Sequence, residues 1–154
     1  MTIQSSRFGS IEFTEDDVVT IRDGILGFPE YERYVILNHK EGSAFRWLHC
    51  VERHDLAFLI AEPGNFRSDY YIDIPDAISE ELGLGVSSPV LVYAIASIPA
   101  GRPQDMTLNL AGPIVINCET RQGRQVVVED ARWETRARAF AVVQQPVAEE
   151  RAAA

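Results

Sequence analysis

Residues 34–61 read YVILNHKEGSAFRWLHCVERHDLAFLIA. Three apolar runs, at 34–37, 46–51 and 57–61, are separated by polar stretches that hold Gly42 and the pair His54-Asp55. Runs this short, rich in Val, Ile, Tyr, Phe and Trp, form strands, and His54-Asp55 sets a hairpin between the last two. The same rhythm extends in both directions. Upstream, Phe8-Gly9-Ser10-Ile11-Glu12-Phe13 alternates apolar and polar side chains as a half-buried strand does, and Val18-Val19-Thr20-Ile21 is the next β-rich run. Asp23-Gly24 and Gly27-Phe28-Pro29 are turn chemistry. Residues 29–34, with a proline first, are expected to make one helical turn. Downstream, residues 76–82 read as a short helix with Ile78 and Leu82 on one face and Gly83 or Gly85 closing it. Residues 90–98 form a long strand with little polar alternation, as expected for one buried on both faces. Strands at 106–110, 113–117 and 125–129 follow, the last two joined by a turn at Gln122-Gly123.

About ten short strands at this spacing predict a mainly β, single-domain fold. The expected form is a closed or partly open antiparallel β-barrel with one or two short helices, since closure removes exposed strand edges. The chain of 154 residues suits one core. The barrel domain is expected over residues 1–138, with 139–154 as a flexible C-terminal tail. No secretory signal is visible at the N-terminus, and the longest apolar runs are far shorter than the roughly 20 residues a membrane helix needs. A cytoplasmic location with no membrane contact is therefore expected, in which Cys50 and Cys118 are buried thiols and not a disulfide.

The charge is −9, from 23 acidic against 14 basic residues. A chain this acidic repels phosphate backbones, so direct nucleic-acid binding is not expected and a basic protein partner is. Catalytic patterns are absent. His39, His49 and His54 match no zinc spacing, and no Cys-x-x-Cys accompanies them. His49 and Cys50 are adjacent in a strand, so their side chains leave on opposite faces and cannot form a nucleophile pair. The glycine pairs Gly24/Gly27 and Gly83/Gly85 lack a phosphate-loop pattern. No cofactor, metal or catalytic residue is expected.

Charge distribution is more informative. From Ser68 to Gly101 there is no Lys or Arg, while Asp69, Asp73, Asp76, Glu80 and Glu81 occur there with Tyr70 and Tyr71 among them. Tyrosine among uncompensated carboxylates suits a surface that meets a basic protein. A solvated face whose tyrosines serve the core has the same pattern.

Several strings carry a family resemblance. They are Phe8-Gly9-Ser10-Ile11, Gly24-Ile25-Leu26-Gly27-Phe28, Tyr34-Val35-Ile36-Leu37 and Phe45-Arg46-Trp47-Leu48-His49-Cys50-Val51. Leu56-Ala57-Phe58, Asn109-Leu110-Ala111-Gly112-Pro113-Ile114-Val115-Ile116-Asn117 and Gly123-Arg124-Gln125-Val126-Val127 complete the set. In this order and spacing the chain resembles the bacterial flagellar assembly factors of the FliW family over about residues 5 to 136. The resemblance implies a β-barrel-like fold and a non-enzymatic role. It implies two protein partners: CsrA, the small RNA-binding dimer that represses flagellin translation, and flagellin itself. It also places the CsrA-facing surface near residues 69–73. The partner-binding residues expected here are Asp69, Tyr70, Tyr71, Asp73 and Asp76. Two departures stand out. Tyr71 occupies a position where many relatives are acidic, and Trp47-Leu48-His49-Cys50 replaces a more usual Leu-Gln-Ser ending. A dedicated flagellin chaperone without a translational role is the alternative, and it would need an uncovered apolar patch from residues such as Phe66, Tyr70 and Tyr71.

Overall fold

The computed structural model describes residues 1–140. Its strands are β1 (Thr2–Ser5), β2 (Gly9–Glu12), β3 (Val18–Arg22), β4 (Arg33–Asn38), β5 (Phe45–Cys50), β6 (Ala57–Ala61), β7 (Val90–Ser97), β8 (Thr107–Leu108), β9 (Ile114–Asn117), β10 (Gln122–Gln125) and β11 (Ala137–Arg138). One helix, α1 (Asp76–Glu81), lies in the long connection between β6 and β7. β3, β4, β5, β6, β7, β9 and β10 hydrogen-bond in a ring that closes into a barrel. Each neighbouring pair is antiparallel except β10 and β3, which run parallel with Gly123 opposite Ile21. An odd ring cannot alternate direction all the way round, so one parallel seam is obligatory. The expected closed antiparallel β-barrel is present, with that one parallel seam.

Period-two alternation fills the interior. Val19 and Ile21, Tyr34, Leu48 and Cys50, Ile60, Tyr93, and Ile114 and Ile116 form one buried cluster. The outer faces are apolar as well, because segments outside the ring cover them. The β1–β2 hairpin lays Ile3 and Phe13 on Val18 and Val35. The α1 connection lays Leu82 and Ile78 on Val115 and Val92. The segment that leads to β11 lays Trp133 and Ala137 on Leu59, Ala94 and Ala96. This double coverage explains why β7 is apolar with little alternation.

Three local readings change. Residues 29–34 hold no helical turn, because Arg33 and Tyr34 are claimed by pairing with β3. Alternation at 106–110 yields only the two-residue β8. The reversal before β10 falls at 118–121, not at Gln122-Gly123. Asn117 Oδ1 accepts from the Glu119 and Thr120 amides there, and Arg121 takes φ 59°. Gly123 lies inside the strand because a Cβ there would stand 2.9 Å from the Val115 carbonyl oxygen and 3.1 Å from Ile21. Gly24 combines φ 66° with a position whose Cβ would stand 2.3 Å from the Phe28 carbonyl oxygen, so glycine is required. Of the expected tail, Ala139 is buried and its amide donates to the Met106 carbonyl, while residues 141–154 lie outside the described part.

Candidate functional site

The acidic stretch from Asp69 to Glu81 crosses the outside of the barrel between β6 and β7, and its five candidate residues part company there. Tyr70 turns inward. Its ring centroid lies 4.7 Å from that of Trp133, and its hydroxyl donates to the Leu110 carbonyl at 2.7 Å. Burial pushes its hydroxyl pKa up to about 12. Tyr70 therefore holds the outer cover in place. Tyr71 turns outward and is 64% exposed. Its hydroxyl donates to Asp73 Oδ1 at 2.9 Å, which with the charge of Asp73 raises its pKa. Its carbonyl accepts from Trp133 Nε1 at 3.0 Å, which anchors the backbone beneath it. Asp69 is exposed beside Arg67, 3.6 Å away, and Asp76 is exposed at the first position of α1.

Folding brings cations to this stretch that its own sequence lacks. Glu81 is held by Arg124 at 3.0 Å and Arg22 at 3.8 Å. Arg132 pairs with Asp130 at 2.8 Å, which lowers the Asp130 pKa, and also feels Asp69 and Asp73. Asp76 and Glu80 make no ion pair among the described residues. Tyr71 and Asp73 line one wall of a surface depression, with Glu129, Asp130 and Arg132 opposite. The site holds three carboxylates against one guanidinium, with an exposed phenol ring between them.

A second feature is built around Gly24 and Gly27, which in the sequence read as turn chemistry. The tight turn after Gly24 buries Ile25 and leaves Leu26 80% exposed. Val126 and Val128 donate to the Pro113 and Ala111 carbonyls, so strand alternation turns Val127 out, 69% exposed. Between them lies an apolar slot of about 300 Å³ whose floor includes Gly112 and Ala111. The Gln125 amide braces its walls, accepting from the Leu26 amide at 2.7 Å and donating to the Gly112 carbonyl at 2.9 Å. The available signal was the Val126-Val127-Val128 triplet, in which an extended chain sends the middle side chain to the face opposite its two neighbours.

Reactive groups are spent on structure. Burial raises the Cys50 thiol, which disfavours the nucleophilic thiolate. His49 is buried, with Nδ1 2.8 Å from the Cys50 carbonyl oxygen and Nε2 2.8 Å from Ser5 Oγ. No group of three His, Cys, Asp or Glu able to hold a metal occurs among the described residues. The patch proposed for chaperone use is dispersed. Tyr70 is in the cover layer, Phe66 is half-buried against Phe45, and only Tyr71 is fully presented.

Comparison with known proteins agrees with this fold. The family model described as FliW protein matches residues 2–139. The flagellar assembly factor FliW of Magnetococcus marinus is 37% identical over 130 residues, covering 84% of this chain and 80% of the relative. That of Bdellovibrio bacteriovorus is 34% identical over 154 residues, covering 100% of this chain and 87% of the relative. A crystal structure of the flagellar assembly factor FliW superposes with TM-score 0.83 at 33% identity, covering 92% of this chain and 98% of that one.

Proposed function

The chain belongs to the FliW family, and on that premise we propose that it is a cytoplasmic regulatory protein that antagonises the translational repressor CsrA and binds flagellin, so that flagellin synthesis follows assembly. The relatives are named as assembly factors and not as enzymes. Among the described residues no helix is long and apolar enough to cross a membrane. The observation that carries the reading is the exposed acidic surface formed by Tyr71, Asp73, Asp130 and their neighbours on a chain of charge −9. A repressor must be basic where it meets RNA, and such a surface attracts it. Flagellin and CsrA then act as opposed ligands. Whatever factor one costs the other in affinity, it suffers in return, so accumulated flagellin releases CsrA and exported flagellin lets it be recaptured.

Reversal of Asp69 and Asp73 to lysine tests the placement. Both side chains are exposed, so the fold should be unaffected, and affinity for CsrA should fall by about three- to tenfold through slower association. The loss should shrink as salt rises, because these charges are solvent-screened. Unchanged affinity at low salt would remove these residues from the interface. The flagellin chaperone reading draws support from a different place than expected, namely the uncovered Leu26 and Val127.

A further inference from the structure

Leu26 and Val127 are exposed aliphatic side chains that face each other across a braced slot, and nothing in the described chain covers them. At about 300 Å³ the slot is at the low end for small-molecule sites. The Gln125 amide, its central polar group, is occupied by both walls. An aliphatic side chain asks for no hydrogen bond and fits such a slot better than a polar metabolite does. Charge around it is uneven. On one side Asp23 and Glu81 are matched by Arg124, at 2.8 Å and 3.0 Å. On the other side Val127 is also part of the wall of the depression that carries Asp73, Glu129 and Asp130 against Arg132. Slot and acidic depression are thus one continuous surface with Val127 as its ridge.

We propose that this surface is the docking site for a linear segment of a basic protein partner, which places one aliphatic side chain between Leu26 and Val127 and an adjacent Lys or Arg against Tyr71, Asp73 and Asp130. The inference rests on the reading that the chain works by holding protein partners, and it adds the chemistry of the segment held. A second copy of this chain is a poor occupant, because two surfaces with the same excess of carboxylates repel. The braced walls limit the ordering cost of docking, and the asymmetry of charge sets the direction in which the segment lies.

The full chain, labelled with nitrogen-15, is titrated with a synthetic peptide carrying one leucine beside two lysines, and amide shifts are mapped. The expected result is saturable shifts at Leu26, Gly112, Val127 and Asp73. They should weaken at least tenfold when the peptide leucine becomes serine or when the protein carries Leu26→Asp with Val127→Asp. Replacing the peptide lysines by glutamate should abolish them. Shifts scattered elsewhere, or equal shifts in the double variant, would overturn the proposal, and the wild-type map decides this even if the double variant folds poorly. CsrA and flagellin are titrated in parallel. Peptide capture at the slot with neither partner bound would leave the site standing and sink the regulatory reading. Partners bound equally by wild type and double variant, with no peptide at the slot, would sink the site and leave that reading intact.

Discussion

Ser5→Ala should be far more damaging than loss of one small hydroxyl suggests. Ser5 Oγ accepts from the Arg7 amide at 3.1 Å and the Phe8 amide at 3.0 Å, and lies 2.8 Å from His49 Nε2. A carbonyl can only accept, so the His49 Nδ1 bonded to Cys50 O carries the proton, and in the neutral ring Nε2 accepts from the serine hydroxyl. Every donor and acceptor of Ser5 is therefore used. The methyl of alanine strands His49 Nε2 inside the protein, where His49 is 1% exposed. Leaving a buried acceptor unpaired costs about 1–3 kcal/mol, and the two amide bonds add about 1 kcal/mol between them because water can partly replace them in an exposed loop. The sum is about 2–4 kcal/mol, or a Tm lower by roughly 5–15 °C in a domain of this size. Urea and thermal denaturation followed by circular dichroism read it directly. His49→Phe in the Ser5→Ala background should recover part of the loss, since it removes the stranded Nε2 acceptor at the expense of the Nδ1 bond to the Cys50 carbonyl, and the double-mutant cycle should show coupling of about 1 kcal/mol or more. A Ser5→Ala cost below about 0.5 kcal/mol, or strict additivity, would refute the network.

Two further outcomes follow from buried tyrosines. Tyr34 is fully buried and its hydroxyl has no hydrogen-bond partner among the described residues. Tyr34→Phe should be neutral or stabilising by about 1 kcal/mol in denaturant melts, and a loss of that size would mean the hydroxyl is satisfied. Tyr70 ionises only near pH 12 in the fold against 10.0 ordinarily, because of burial. Its raised pKa means that its contribution is complete below pH 10 and drains as pH rises toward 12. Tyr70→Phe should flatten that alkaline loss, and an identical alkaline profile in the variant would contradict the assignment.

What could be read without coordinates was what depends on neighbours in sequence. β3 to β7 and β9 announce themselves by apolar runs between turn residues. β1 alternates too, but four residues are too few to stand out before a partner strand is known. β8 and β11 are two-residue strands that exist only because β7 offers β8 an edge and β8 offers one to β11. Gly123 reads as a turn from its type and lies in a strand for a reason set by Ile116 and Ile21, which are distant in sequence or on the facing strand. The parallel seam between β10 and β3 is a property of the closed ring and of no local segment. The site divides in the same way. Asp69, Asp73 and Asp76 stand close together and are visible in the chain, whereas Glu129 and Asp130 join them only through folding. Arg124 and Arg132, which temper them, and Trp133, which draws Tyr70 inward, arrive from other segments, while Arg67 stands just before the stretch. The slot at Leu26 and Val127 joins residues about a hundred positions apart, so neither string alone announces it.

Calorimetric titration of the purified chain against CsrA, repeated after saturation with flagellin from the same cell, goes straight to the regulatory claim. CsrA should bind the free protein and fail to bind the flagellin-saturated one, with the reciprocal loss when the order is reversed. Flagellin binding without any CsrA binding, or CsrA binding that flagellin leaves untouched, would contradict the partner exchange.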